Sequence, residues 1–221
     1  MTDKPTDLFR VLLAFMAEAG PEDDMTSEWL RAMALTAEIV KRDPDPIVRS
    51  DIAAVYRHLN DDLEDILHGR VCFTAGDSRP FVVRTVHCRR RMRAVTNIAE
   101  FGPEWWESPV GGAYWEANLQ ALARGVEIIR VFIATDRTDP GLLTILAEQR
   151  TAGVDVLVLD RAAVPEELHV NLVVWDESYA WEGEMGPFGR IRRDIFHHRP
   201  KEVIRLHELA DQCVRRGRAA R

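Results

Sequence analysis

The segment from Leu168 to Glu184 reads LHVNLVVWDESYAWEGE. It gathers groups able to do chemistry: the imidazole of His169, the carboxamide of Asn171, the carboxylates of Asp176 and Glu184, and Gly183. Side chains alternate along a strand, so an extended run from His169 to Trp175 places His169 and Asn171 on the face shared with Val173 and Trp175. Val170, Leu172 and Val174 then point the other way. Two polar groups two residues apart converge on one patch, and Asp176 falls at the strand end, before Glu177 and Ser178 turn the chain. The plain alternative is that His169 is only a hydrogen-bonded residue at a strand edge.

Other chemistry-bearing residues are more isolated. His197 and His198 in FHHRP lack a partner carboxylate or cysteine at ligand spacing, so a surface or phosphate-contacting pair outranks a metal site. His87 and Cys88 sit beside Arg89, Arg90, Arg91 and Arg93, and nearby positive charge lowers a thiol's pKa. No other catalytic signature surrounds them. The arginine run has no interleaved aromatics, which favours a solvated face or salt-bridge partners over a nucleic-acid contact. Trp105, Trp106, Tyr114 and Trp115 could line a cleft, although aromatics at this density more often close a core or an interface.

The elements that must position these groups follow from periodicity. Leu8, Val11, Leu12, Phe15 and Met16 form one helical stripe, and Leu30, Met33, Ala37 and Val40 a second, with Thr26 or Ser27 as its N-cap. Asp45-Pro46 opens a third helix that Gly69 ends. Val71 to Thr74 reads as a short strand, and Pro80 to Met92, where Val82, Val83 and Val86 fit helix or strand alike, leans to a helix leading into a strand from Arg93 to Ile98. An alternation follows: helix Ala113 to Arg124, strand Val126 to Ala134, helix Pro140 to Ala152, strands Val154 to Leu159 and His169 to Trp175, and a last helix Pro200 to Arg216. Gly125 and Gly153 stand where helices hand over to strands. The fold class is therefore α/β, a mostly parallel sheet flanked by helices, with an N-terminal helical region over residues 1–69 and the α/β domain over 70–221.

Composition bounds the function. With 221 residues, 46% hydrophobic and 29% charged, the chain suits a globular protein with a sizeable core. No apolar run approaches the roughly 20 residues of a membrane span, and the opening MTDKPTDLFR lacks the basic-then-apolar pattern of a secretory signal. A cytoplasmic protein is expected. Cys72, Cys88 and Cys213 are odd in number and widely spaced, which argues for free thiols; no metal and no cofactor is expected. Residues 1–69 hold 15 acids against 7 Lys and Arg, while residues 189–221 hold 10 Lys and Arg against 4 acids. The split could steer a polyanion to the C-terminal end, or leave a solvated basic tail.

The spacing of His169, Asn171, Asp176 and Gly183 resembles the HxKxxxxD signature of the phospholipase D superfamily, followed there by six residues and Gly-Ser. ANLQALARGVEIIRVFIA and AEQRTAGVDVLVL are similar to the helix and strand units of the same fold, and the likeness covers about residues 93–217. The motif is degenerate, with Asn171 where the family has Lys, Glu184 where it has Ser and Gly186 where it has Asn. The resemblance implies His169 as the attacking nucleophile, Asp176 as its orienting partner and position 171 as the phosphoryl clamp, with Gly183 and Glu184 at the family's Gly-Ser positions; Arg190 and His198 by their charge, and Trp115 as a cleft-lining aromatic, are further candidate ligand contacts. It also implies a homodimer, because members with one motif per chain pair two histidines.

Asn171 keeps a hydrogen-bond donor and removes a charge. Losing one donor of this kind costs roughly 100-fold to 1,000-fold in rate, and a carboxylate such as Glu184 beside a phosphodiester is repulsive by about 1–4 kcal/mol at about 4 Å. The expectation is a ligand- or partner-binding domain with a sensor or regulatory role and without efficient phosphodiesterase activity. Two alternatives stay open: a phosphodiesterase or phosphotransferase using His169, with charge from Arg190, Arg192 or His198, and a scaffold acting through its N-terminal helices.

Overall fold

A computed structural model of the chain describes residue 14 and residues 24–43, 45–74, 77–98, 103–186 and 191–219. The chain divides into two units, Met1–Asp61 and Asp62–Arg221. The first unit holds α1 (Asp24–Arg42) and most of α2 (Pro46–Leu67). The stripe from Leu8 to Met16 lies outside the described residues. Helix α1 starts at Asp24, so Thr26, 1% exposed, sits inside its first turn and is no N-cap. Asp45 does open α2, its carboxylate accepting the Ile47 N–H at 2.7 Å. The Thr36 and Tyr56 hydroxyls, 2.9 Å apart, tie the two helices together.

The second unit is built on one sheet of seven strands: β1 (Arg70–Thr74), β2 (Arg91–Asn97), β3 (Glu127–Ala134), β4 (Asp155–Asp160), β5 (Leu172–Trp175), β6 (Tyr179–Met185) and β7 (Ile191–His197), in the order β1-β7-β6-β5-β2-β3-β4. The α/β class holds, but the sheet is mixed where mostly parallel pairing is expected. Only β2 with β3 and β3 with β4 run parallel; the other four pairings are antiparallel. Connection length explains the division. A crossover helix separates β2 from β3 and β3 from β4, whereas only Asp176, Glu177 and Ser178 join β5 to β6, a link too short for anything but a hairpin. Strands β6 and β7 are absent from the sequence reading, because Glu182 and Glu184 in YAWEGEM and Arg192, Arg193 and Asp194 in IRRDIFH interrupt the apolar pattern.

Helices cover both faces. On one face α3 (Arg79–His87), α4 (Pro109–Ala123) and α5 (Pro140–Thr151) contribute to a core with Phe81, Tyr114, Phe132, Trp175, Trp181 and Phe196. On the other, α6 (Pro200–Ala219) lays Val203, Leu206, Ala210, Cys213 and Val214 against Val95, Val131, Leu157, Leu172 and Val174. Each of the Val and Leu side chains contributes about 1.5–3 kcal/mol when removed from water. Gly125 (φ +86°) and Gly153 (φ +100°) end α4 and α5 in the left-handed conformation the sequence foresees.

One buried group interrupts this apolar interior. Arg130 on β3 is fully buried, its guanidinium bonded to Gln149 Oε1 (2.9 Å), Asn118 Oδ1 (3.0 Å) and Tyr114 Oη (3.4 Å) and lying 4.6 Å from the Trp106 ring centroid. Burial pulls its pKa down from the usual arginine value. Trp105, Trp106 and Tyr114 pack edge to face around it, closing a core.

Candidate functional site

The sheet brings part of the motif together at the C-terminal edge of the parallel strands, where ligands bind in open α/β sheets. Because β5 runs antiparallel to β2, its start lies beside the end of β2, with Leu172 opposite Val95. The expected strand from His169 is shorter than foreseen. Pro165 leads into a 3-10 turn, Glu166–Leu168, in which the buried Leu168 is anchored and the His169 N–H returns to the Glu166 carbonyl at 2.9 Å. His169 therefore closes a turn, and the alternation argument does not reach it.

The ring of His169 faces the backbone. Its Nε2 lies 2.9 Å from the Val164 carbonyl oxygen and 3.1 Å from that of Arg161. Carbonyl oxygens only accept, so Nε2 carries the proton and donates. A nucleophilic imidazole needs a ring nitrogen with a free lone pair facing its substrate. In this arrangement Nε2 cannot supply one.

Asn171 is 3% exposed and holds the neighbouring strand in place. Its Oδ1 accepts the Asn97 backbone N–H at 2.8 Å, and its Nδ2 reaches Met185 Sδ at 3.6 Å. The Asn171 carbonyl in turn accepts the Gly183 N–H at 3.0 Å. A Cβ at Gly183 would lie 2.7 Å from Ile191 Cδ1, so that side chain would have to shift. Two residues the sequence reading passes over complete the cluster. Arg161, directly after β4, donates to Asn97 Oδ1 at 2.8 Å, and that bond orients the buried Asn97 amide so that its Nδ2 has no hydrogen-bond partner. Their signal lies in position: an amide in AVTNI and a cation just past VDVLVLD, both at ends of parallel strands.

The remaining candidates divide. Glu184 is near this edge, with Arg192 donating to its carboxylate, so the carboxylate that would repel a phosphate is neutralised locally. Arg190 lies outside the described residues. Asp176 sits at the opposite end of β5, where its carboxylate accepts the backbone N–H groups of Arg89 (2.6 Å), Arg90 (2.8 Å) and Arg91 (2.9 Å). Burial alone would raise its pKa, and these three donors outweigh burial and lower it. It does not orient His169. His198 follows β7, whose His197 pairs with Ala180, and its N–H bonds to the Gly69 carbonyl; it too belongs to the far end. Trp115 is elsewhere again, donating from Nε1 to Glu148 Oε1 at 2.7 Å between α4 and α5.

His87 and Cys88 do not make an activated thiol. Burial, with the Asp176 carboxylate beside it, pushes the Cys88 thiol up to about 11, opposite to the effect expected from the arginine run. Among the described residues no group of three or more His, Cys, Asp or Glu could hold a metal ion, and no helix is long and apolar enough to cross a membrane.

No family model matches the chain, and no curated protein matches it. Solved structures do. The chain is similar to Nuc, a phospholipase D family member from Salmonella typhimurium, at 11% identity and a TM-score of 0.51, over 67% of this chain and 95% of that one. It is similar to NucT from Helicobacter pylori at 8% identity and a TM-score of 0.50, over 66% and 95%. At such identities the likeness is one of architecture, and it agrees with the mixed seven-stranded sheet between two helical layers: the chain has the phospholipase D-like fold.

Proposed function

We propose that this chain is a phospholipase D-like domain that recognises a ligand or partner, in a sensor or regulatory role in the cytoplasm, without efficient phosphodiester hydrolysis. One observation carries the reading: His169 Nε2–H donates to the Val164 and Arg161 carbonyls. Position 171 supports it, since a carboxamide replaces a cation and fastens β5 to β2. Asn97, Arg161, Asn171, Gly183 and Glu184 frame the site, and the Asn97 Nδ2 donor within it has no hydrogen-bond partner. A homodimer would set two such edges together, and a phosphate-containing small molecule would meet Arg161 and Arg192.

The test compares wild type with His169→Ala on bis(4-nitrophenyl) phosphate. Both proteins should release nitrophenolate at the uncatalysed rate. Turnover by wild type that His169→Ala abolishes would restore the phosphodiesterase reading.

A further inference from the structure

A cavity of about 330 Å³ opens at the other end of β5, away from the motif edge, between the end of α3 and the β5–β6 hairpin. This size is at the small end of the roughly 300–1,000 Å³ typical of ligand sites. Its walls are tied by Asp176, whose carboxylate on the hairpin accepts the three backbone N–H groups of residues 89, 90 and 91. The hairpin turns through Asp176 (φ 50°) and Glu177 (φ 62°), a left-handed pair of the kind that tight hairpins favour, closed by the Ser178 N–H bonding to the Trp175 carbonyl at 3.0 Å. These bonds fix the hairpin side of the cavity.

Its lining is cationic and aromatic. Arg84 places its guanidinium carbon 4.1 Å from the Phe196 ring centroid, and NH1 donates to the Pro80 carbonyl at 3.0 Å. Arg84 Nε is buried with no hydrogen-bond partner. Among the described residues Arg84 makes no ion pair with a carboxylate, so a half-buried cation lines the cavity. Arg89 and His87 stand at the rim with Ser178, and Tyr179, 46% exposed, offers a flat apolar wall. Asp176 is the one acid in the lining, and its oxygens are already engaged by backbone donors.

We propose that this cavity binds a small organic anion, with the carboxylate or phosphate group taken by Arg84 and Arg89 and a planar body lying along Tyr179. A guanidinium fixed on an aromatic face needs little reordering to accept an anion, which favours binding. The site is independent of His169.

Isothermal titration calorimetry with benzoate, phenyl phosphate and inorganic phosphate, at constant ionic strength, tests it. Wild type and His169→Ala should bind one or both aryl anions saturably and more tightly than inorganic phosphate. Arg84→Met should weaken that binding by about 10- to 100-fold, and Ser178→Tyr, which fills the mouth from an exposed turn, should weaken it without touching the core. Preference for benzoate or for phenyl phosphate identifies the anionic group. Absence of saturable binding, equal affinity for inorganic phosphate, or binding unchanged in both variants would overturn the proposal.

Discussion

His169 and Asp176, seven residues apart in a motif that would make them catalytic partners, stand at opposite ends of β5. Each is committed to backbone: His169 donates to two carbonyls, and Asp176 accepts from three N–H groups. Asp176→Ala leaves three donors without their acceptor and should destabilise the fold by about 2–3 kcal/mol, read as a shift in urea midpoint. Asp176→Asn gives a pH signature. The folded carboxyl titrates below its ordinary value of 3.8, so its stabilisation is present above that pH and is lost as pH falls through the lower folded pKa. Wild type should therefore lose more stability on acidification below about pH 4 than Asp176→Asn does; equal losses would contradict the assignment.

A Cβ at Gly183 would lie 2.7 Å from Ile191 Cδ1 and 3.0 Å from its Cγ1, so the Ile191 side chain must shift to admit it. Gly183→Ala should cost up to about 1 kcal/mol through this overlap, and Ile191→Val, which removes Cδ1, should recover part of it in the double variant. Chemical denaturation of the four proteins in the cycle measures the coupling. Additive effects would place the strain elsewhere.

Arg130 is a buried cation whose partners are neutral. Arg130→Met keeps the volume but leaves the Gln149 and Asn118 oxygens unsatisfied in an apolar layer, and should cost about 2–4 kcal/mol. If the variant is as stable as wild type, the network does not hold the layer together.

Cys88 and Cys213 are buried, and burial holds each thiol near a pKa of about 11. At pH 7 the thiolate fraction is small, so both should resist iodoacetamide in the native protein and react once it is unfolded. Cys72, half-buried at β1, is the thiol that should react first, and peptide mass mapping over time gives the order.

Much of the frame was legible in the residues. Period and punctuation located α4, β3, α5, β4 and α6 to within a few positions, because Gly125 and Gly153 mark helix ends and β3 and β4 are buried runs. The hairpin strands β6 and β7 were not legible: Glu182, Glu184, Arg192 and Arg193 break the apolar pattern, although each pairs with the strand next to it in the chain. The site divided in the same way. Spacing singled out His169, Asn171 and Asp176 and put Asp176 at the end of its strand, yet spacing alone cannot show which atoms a side chain meets, so the commitment of Asp176 to the backbone of residues 89–91 and the place of His198 beside Gly69 were not legible. Asn97 and Arg161 went unseen because their partnership joins strands 64 residues apart in sequence.

The account turns on where the proton of the His169 ring resides. Nitrogen-15 NMR of imidazole-labelled protein at pH 8, with His169→Gln to assign the signal, reports it directly. The account predicts Nε2 protonated and Nδ1 bare for His169. A bare Nε2 with the proton on Nδ1 would contradict it and return this histidine to the role of nucleophile.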